Sequence, residues 1–389
     1  MDTSTVGEKI TVKPVVLRKL KERNRNLELW WDAHPGFFRV FLAQLQEKKF
    51  DDDSIREMKK WMSHNEGGFF FFDGVTTNPP LVLKFLQSFP QVVEKVREWG
   101  EQFRNATGEA NSWFDLYWMV GKLGTDKFLS NFYRRGRQFG FVCVQVDPRF
   151  SKDGEVMKFQ ALKLARMSPN VMIKIPATRA GIEVIEELVS LGVPINVTSC
   201  FCVPQVVHVA RAIKRGVEKG RIRGIDYSGW RSVITMMIGR WEASPELEEK
   251  NTGVLLQEEE LRWFGILMAK KAVEEVRNLG APTKVLVCST RKGPGRAYLH
   301  LEELSKLPIV VTMNPEAIEW GVTLLREERS AMPLEVPSSL ETKLYGIEFA
   351  HRSLIADGFS MEEIEASGAQ QYNLNEFSEA MDKIEKLLR

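Results

Sequence analysis

Eight short segments of the chain are almost continuous in apolar, β-branched and aromatic residues, and stretches of helical periodicity separate them. They are Leu27–Asp32, Gly68–Asp73, Gly140–Val146, Val171–Ile175, Pro194–Ser199, Ser232–Ile238, Lys284–Ser289 and Ile309–Thr312. Runs without polar alternation predict parallel strands covered on both faces. Between them, Ser54-Ile55-Arg56-Glu57 reads as a capping box opening a helix that ends near Ser63. Ala180 to Leu191 carries Ile182, Ile185, Leu188 and Val189 at helical spacing and stops at Gly192. Leu256 to Leu279 is a longer helical pattern with Leu261, Phe264, Leu267, Met268 and Val273 at its apolar positions. Eight alternations of strand and helix predict a (β/α)₈ barrel with additional helices. A doubly wound open sheet is the alternative, but eight is the number that closes a barrel.

No Pro/Gly/Ser linker and no internal repeat divides the chain. The expected organisation is an N-terminal extension over residues 1–26, one catalytic barrel over 27–343, and a helical tail over 344–389 packed on the barrel. The extra length falls between Pro79 and Phe139, in Trp241–Gln257, and in the tail.

Composition narrows the class. Hydrophobic residues make up 43% of the 389 positions and charged residues 27%, which excludes a disordered chain. The formal charge of +2 predicts no nucleic-acid or membrane-surface role, while permitting a local basic pocket. No apolar run approaches the roughly 20 residues of a membrane helix, and Met1 to Lys13 does not read as a signal peptide. Without a secretion signal, the sequons at Asn105 and Asn196 carry no weight. The four cysteines, Cys143, Cys200, Cys202 and Cys288, fall in or beside strands, which predicts small core residues of a reduced, cytoplasmic enzyme.

In such a barrel chemistry sits at the C-terminal ends of the strands. Lys174, inside Val171-Met172-Ile173-Lys174-Ile175-Pro176, is the sharpest candidate. Alone it reads as a lysine whose stem runs along the strand and whose head reaches water. Its company favours a desolvated amine that attacks a carbonyl. Asp32 ends the first strand; Thr76, Thr77 and Asn78 follow the second; Gln145 and Asp147 close the third. Asn196, Thr198 and Ser199 lie in or after the fifth, Thr235 and Arg240 on or beyond the sixth, Ser289 and Arg291 at the seventh. Such groups around one amine suit a polyhydroxylated substrate. Ser289 and Arg291, two apart, face one side of an extended chain and with Arg240 make a phosphate clamp.

Other features rank lower. Cys200-x-Cys202 is too sparse for zinc, and His64, His208, His300 and His351 show no metal-ligand spacing. His34 reads as a loop or structural histidine ahead of a catalytic one. Gly293-Pro294-Gly295 follows the seventh strand, where this fold often binds phosphate through backbone amides. Glu258-Glu259-Glu260 reads as a solvated helix start, and Trp30, Trp31 and Phe69 to Phe72 as packing. Asp147, before a proline, reads as structural.

These motifs resemble the transaldolase family, including the related fructose-6-phosphate aldolases. Asp73-Gly74-Val75-Thr76-Thr77-Asn78-Pro79 is similar to its second-strand motif, and Asn170 to Thr178 to the segment carrying its Schiff-base lysine. Gly192 to Thr198 and Val311 to Glu316 are similar to its fifth and eighth strands, and Tyr345 to Leu388 to the C-terminal helices of longer bacterial members.

The resemblance implies that Lys174 forms a Schiff base with the C2 carbonyl of a ketose phosphate, and that Asp32 moves the C4 hydroxyl proton. It implies that Asn78, Asn196 and Ser199 hold the dihydroxyacetone unit and Thr198 positions a water. Thr235 stands where the family has a serine, and Arg240, Ser289 and Arg291 would clamp the phosphate. Neither a metal nor an organic cofactor is implied. The chain departs from the transaldolase pattern at Gln145, where those enzymes have a glutamate that passes protons through the water. Fructose-6-phosphate aldolases have glutamine there, but place a tyrosine where this chain has Met237.

The expected reaction is therefore transfer of a dihydroxyacetone unit from a ketose phosphate to an aldose phosphate. Direct aldol cleavage with free dihydroxyacetone is the alternative, and a non-catalytic sugar-phosphate-binding barrel is a third reading. The extended tail and apolar surface aromatics would suit a homodimer.

Overall fold

The computed structural model describes residues 9–62, 70–108, 112–295 and 297–389. Residues 1–8, Ser63, His64, Gly68 and Phe69, used in the sequence reading, lie outside them. Eight parallel strands follow one another in chain order around a closed barrel. They are β1 Glu28–Asp32, β2 Gly74–Thr76, β3 Phe141–Gln145, β4 Val171–Pro176, β5 Ile195–Cys200, β6 Ser232–Met237, β7 Lys284–Cys288 and β8 Val310–Met313. Pairing of Glu28 with Val310 and of Trp31 with Met313 closes the ring, so the barrel forms and the open sheet does not.

One strand lies elsewhere than the apolar pattern predicts. β2 follows the run Gly68–Asp73 rather than coinciding with it. Phe70, Phe71 and Phe72 are buried, but in aromatic packing: Phe71 stacks on Trp61 at 4.7 Å and Phe72 tilts against Trp31 at 5.8 Å. The ladder begins where the Asp73 amide reaches Leu29 O. Gly74 then pairs with Trp30, and a Cβ there would come within 2.6 Å of the indole. A glycine is required opposite that ring. The helix Asp52–Lys59 is also capped differently: Asp51, not Ser54, is its N-cap and accepts from Ser54 N. Glu258–Asn278 begins in a capping box made by Gln257 and Glu260, as its acidic start suggests.

Glu28 lies at the N-terminal end of β1, where it meets Arg231 and Lys284 and accepts from Trp30 Nε1 at 3.0 Å. Burial pushes the Glu28 carboxyl up, but the charges of Arg231 and Lys284 outweigh it and hold it below its usual range.

The insertion between β2 and β3 forms the helices Pro79–Ser88, Pro90–Thr107 and Trp113–Arg134. The last helix, Gly368–Leu388, packs against the first and third of these and against the turn after β3. Arg149 in that turn joins Asp147 to Asp382 and Glu385 of the last helix. Asp147 is thus a structural tie, as its place before a proline suggests. Among the described residues, no helix is long and apolar enough to cross a membrane.

Candidate active site

The strand register pairs Asp32 with Thr76, Gln145 with Lys174, and Lys174 with Asn196. Partners on neighbouring parallel strands face the same side of the sheet. That side is the barrel interior, because Asn196 on β5 reaches past β4 to donate to Cys143 Sγ on β3 at 3.1 Å. Residues two apart share a face, so Thr198 and Thr235 point inward with Asn196.

Lys174 is only 4% exposed, and its Nζ donates to Thr77 O at 2.9 Å. Thr77 is fixed in turn by a hydrogen bond from its hydroxyl to Cys143 O. Asp32 keeps some accessible surface but is enclosed by the barrel wall, and this enclosure raises its carboxyl above the usual range. The charge of Lys174 and the hydroxyls of Thr76 and Thr312 act against that rise. A poised carboxylate and a buried amine therefore share one small interior.

Gln145 and Thr198 are also inside. Both amide atoms of Gln145 and the hydroxyl of Thr198 are buried without a protein hydrogen-bond partner. Buried polar groups are normally satisfied, so a donor, an acceptor and a hydroxyl here suit a water or a substrate hydroxyl. Asn196 Oδ1 accepts from Thr235 Oγ1 at 2.6 Å, which makes Thr235 a brace for that amide. Asn78 Oδ1 caps the helix Pro79–Ser88 by accepting from Leu81 N, leaving its amide N–H groups for a ligand.

Ser199 and Ser289 both adopt left-handed backbone, with φ of 51° and 56°. Non-glycine residues hold this conformation only where the surroundings impose it. At Ser199 the β5–β6 register shifts, and the hydroxyl accepts from Asn373 on the last helix at 2.7 Å. Its expected contact with substrate is thus shared with a protein partner. Ser289, Thr290, Arg291 and Arg240 line a cavity of about 840 Å³ that also includes Glu316 and Tyr372. Gly239 admits the Ser289 loop: a Cβ there would lie 2.0 Å from Ser289 O and 3.0 Å from Arg291 Nε.

The structure thus assembles an inner group and a group lining the cavity. Lys174, Asp32 and Gln145 belong to the barrel interior and not to the cavity wall. Cys288 joins the two groups. Burial and then Asp32 push its thiol up to about 11, while Lys174, Ser289 and Arg240 act in the opposite sense. Burial, aided by the positive charges of Arg262 and Arg240, holds Arg291 below its usual value against the opposing charge of Glu242.

Two backbone amides after β7 are engaged within the protein. Gly293 N donates to Ala297 O, and Arg291 N donates to His300 Nδ1 at 2.9 Å. His300 is a positioning residue for this loop, and its Nε2 lies 2.9 Å from Glu242, which pairs with Arg262. His34 is buried against Phe85, its Nδ1 accepting from Gly36 N, and burial lowers its pKa to about 4. It is a neutral structural group. The four cysteines are free and buried. No group of three or more His, Cys, Asp or Glu side chains gathers as metal ligands among the described residues.

Sequence reading missed Thr312, whose inward parity in β8 could have exposed it. It also missed Asn373 and Glu376, which sit in an ordinary amphipathic helix with no local signal.

The family described as Transaldolase/Fructose-6-phosphate aldolase matches residues 50–387. Transaldolase 1 of Streptomyces avermitilis is 40% identical over 107 residues, covering 27% of this chain and 28% of that protein. Transaldolase 1 of Streptomyces coelicolor is 34% identical over 151 residues, 38% and 39% of the two chains. The transaldolase of Saccharopolyspora erythraea is 30% identical over 219 residues, 56% of each. These matched stretches span from about a quarter to just over half of the relatives' lengths. With a closed barrel, a buried lysine on its fourth strand and a family match over most of its length, the chain belongs to the transaldolase/fructose-6-phosphate aldolase family.

Proposed function

We propose that the protein transfers a dihydroxyacetone unit from a ketose phosphate to an aldose phosphate through a Schiff base on Lys174. The observation that carries this reading is the buried Lys174 amine sharing the barrel interior with Asp32 and Asn196. The Lys174 nitrogen attacks the C2 carbonyl of the donor; water leaves and an iminium forms. Asp32 takes the C4 hydroxyl proton as the C3–C4 bond breaks. The bonding pair moves into the iminium, giving an enamine on Lys174 and a free aldehyde. The enamine attacks an acceptor aldehyde, Asp32 returns the proton to the new hydroxyl, and water releases the ketose.

Asn196 and the Asn78 amide suit the hydroxyls of the three-carbon unit, with Ser199 beside them. Thr235 supports Asn196. Gln145 and Thr198 suit the water that enters and leaves during imine formation. Arg240, Ser289 and Arg291 suit the phosphate. Reductive trapping of a ketose phosphate on Lys174 tests the reading.

Gln145 favours a second reading, direct aldol cleavage. A carboxamide orients water but exchanges no proton with it at neutral pH. Asp32 would then return the proton taken from the C4 hydroxyl to C3 of the enamine, and water would hydrolyse the resulting iminium to free dihydroxyacetone and the Lys174 amine. Cleavage of one ketose phosphate with and without an aldehyde acceptor separates the two.

A further inference from the structure

We propose that Glu376 is a specificity-determining residue that sets the charge of the anion site by competing for Arg240. This rests on the reading of Arg240 and Arg291 as the clamp. Ala369 and Tyr372 line the cavity from the last helix, and Glu376 follows on the same stripe one turn later. Its carboxylate is paired with Arg240 Nη2.

That pairing is not the sole contact that places the arginine. The Arg240 guanidinium already lies 5.5 Å from the Tyr372 ring and 5.9 Å from the Phe377 ring, both on the same helix. The carboxylate instead uses donors on the guanidinium fork that an incoming anion needs. Arg291, by contrast, has no side-chain hydrogen-bond or ion-pair partner among the described residues, so it is the open half of the clamp. Arg240, Arg262, Arg291 and Lys292 line the cavity against Glu258 and Glu316, and the Glu376 carboxylate halves that positive excess, weakening the site's preference for a doubly charged terminal group over a singly charged one.

The test uses the full chain, wild type and Glu376→Gln, with sulfate as a dianion and methanesulfonate as a monoanion. Each anion competes against borohydride trapping of a ketose phosphate at Lys174. Coulomb energy scales with ligand charge, so removing Glu376 should tighten sulfate about tenfold and methanesulfonate about threefold. Glu376→Asp, which keeps the charge, should retain the wild-type ratio. Equal changes for both anions, no change, or weaker binding in Glu376→Gln would overturn the proposal; weaker binding would make Glu376 a brace for Arg240. Absence of any trapped adduct would instead defeat the Schiff-base reading. Trapping that neither anion inhibits, in wild type or variant, would defeat the clamp and this inference while leaving the Schiff base standing.

Discussion

The Thr76 hydroxyl donates to Asp32 Oδ1 at 2.5 Å, joining the ends of β1 and β2 across a register pair. This bond favours the charged carboxylate against the enclosure that raises its pKa. It opposes that enclosure at the proposed base beside Lys174.

Thr76→Val should therefore raise the Asp32 pKa further and move the acidic limb of kcat/KM to higher pH. A hydrogen bond to a charged group contributes about 1.5–3 kcal/mol, so the acidic edge should lose about tenfold in kcat/KM or more while the plateau changes little. A pH–rate profile checks this. An unmoved limb would remove Asp32 as the group whose ionisation limits the reaction.

Gln145→Glu should increase the ratio of transfer to acceptor-independent cleavage, because a carboxyl in that position can exchange protons with water at Thr198. Product analysis with and without an aldehyde acceptor measures the ratio. An unchanged ratio would show that Gln145 does not set the reaction type.

At the N-terminal end of the barrel, stability should depend on pH through Glu28. Its folded pKa is held below the ordinary 4.5, so the Arg231 and Lys284 pairing is fully present above that value and lost as pH falls through the folded pKa. Removing one partner of a buried pair costs about 3–5 kcal/mol, so Glu28→Gln should be less stable than wild type at pH 7 by that order. Denaturant unfolding from pH 7 to well below 4.5 should show the gap constant above 4.5 and narrowing below it. A constant gap would mean that the pairing is not what Glu28 contributes.

The sequence made the inner half of the site legible and hid much of the outer half. Lys174, Asn196 and Thr235 stand out because polar residues interrupt apolar strands, and strand parity then forces them to one face. β2 was misplaced because Phe70 to Phe72 are as apolar as a strand, yet their rings pack against Trp61, Phe128 and Trp31 before the ladder begins. The left-handed backbone of Ser199 and Ser289 has no signature in side-chain type. Glu376 lies 136 positions from Arg240, and only the packing of the last helix over the barrel mouth brings the pair together.

Sodium borohydride added with a ketose phosphate, followed by peptide mass spectrometry, tests the central claim most directly. The account predicts a substrate-dependent reduced adduct on Lys174 that is absent from Lys174→Ala. No adduct across a panel of ketose phosphates, or the same labelling in Lys174→Ala, would contradict it.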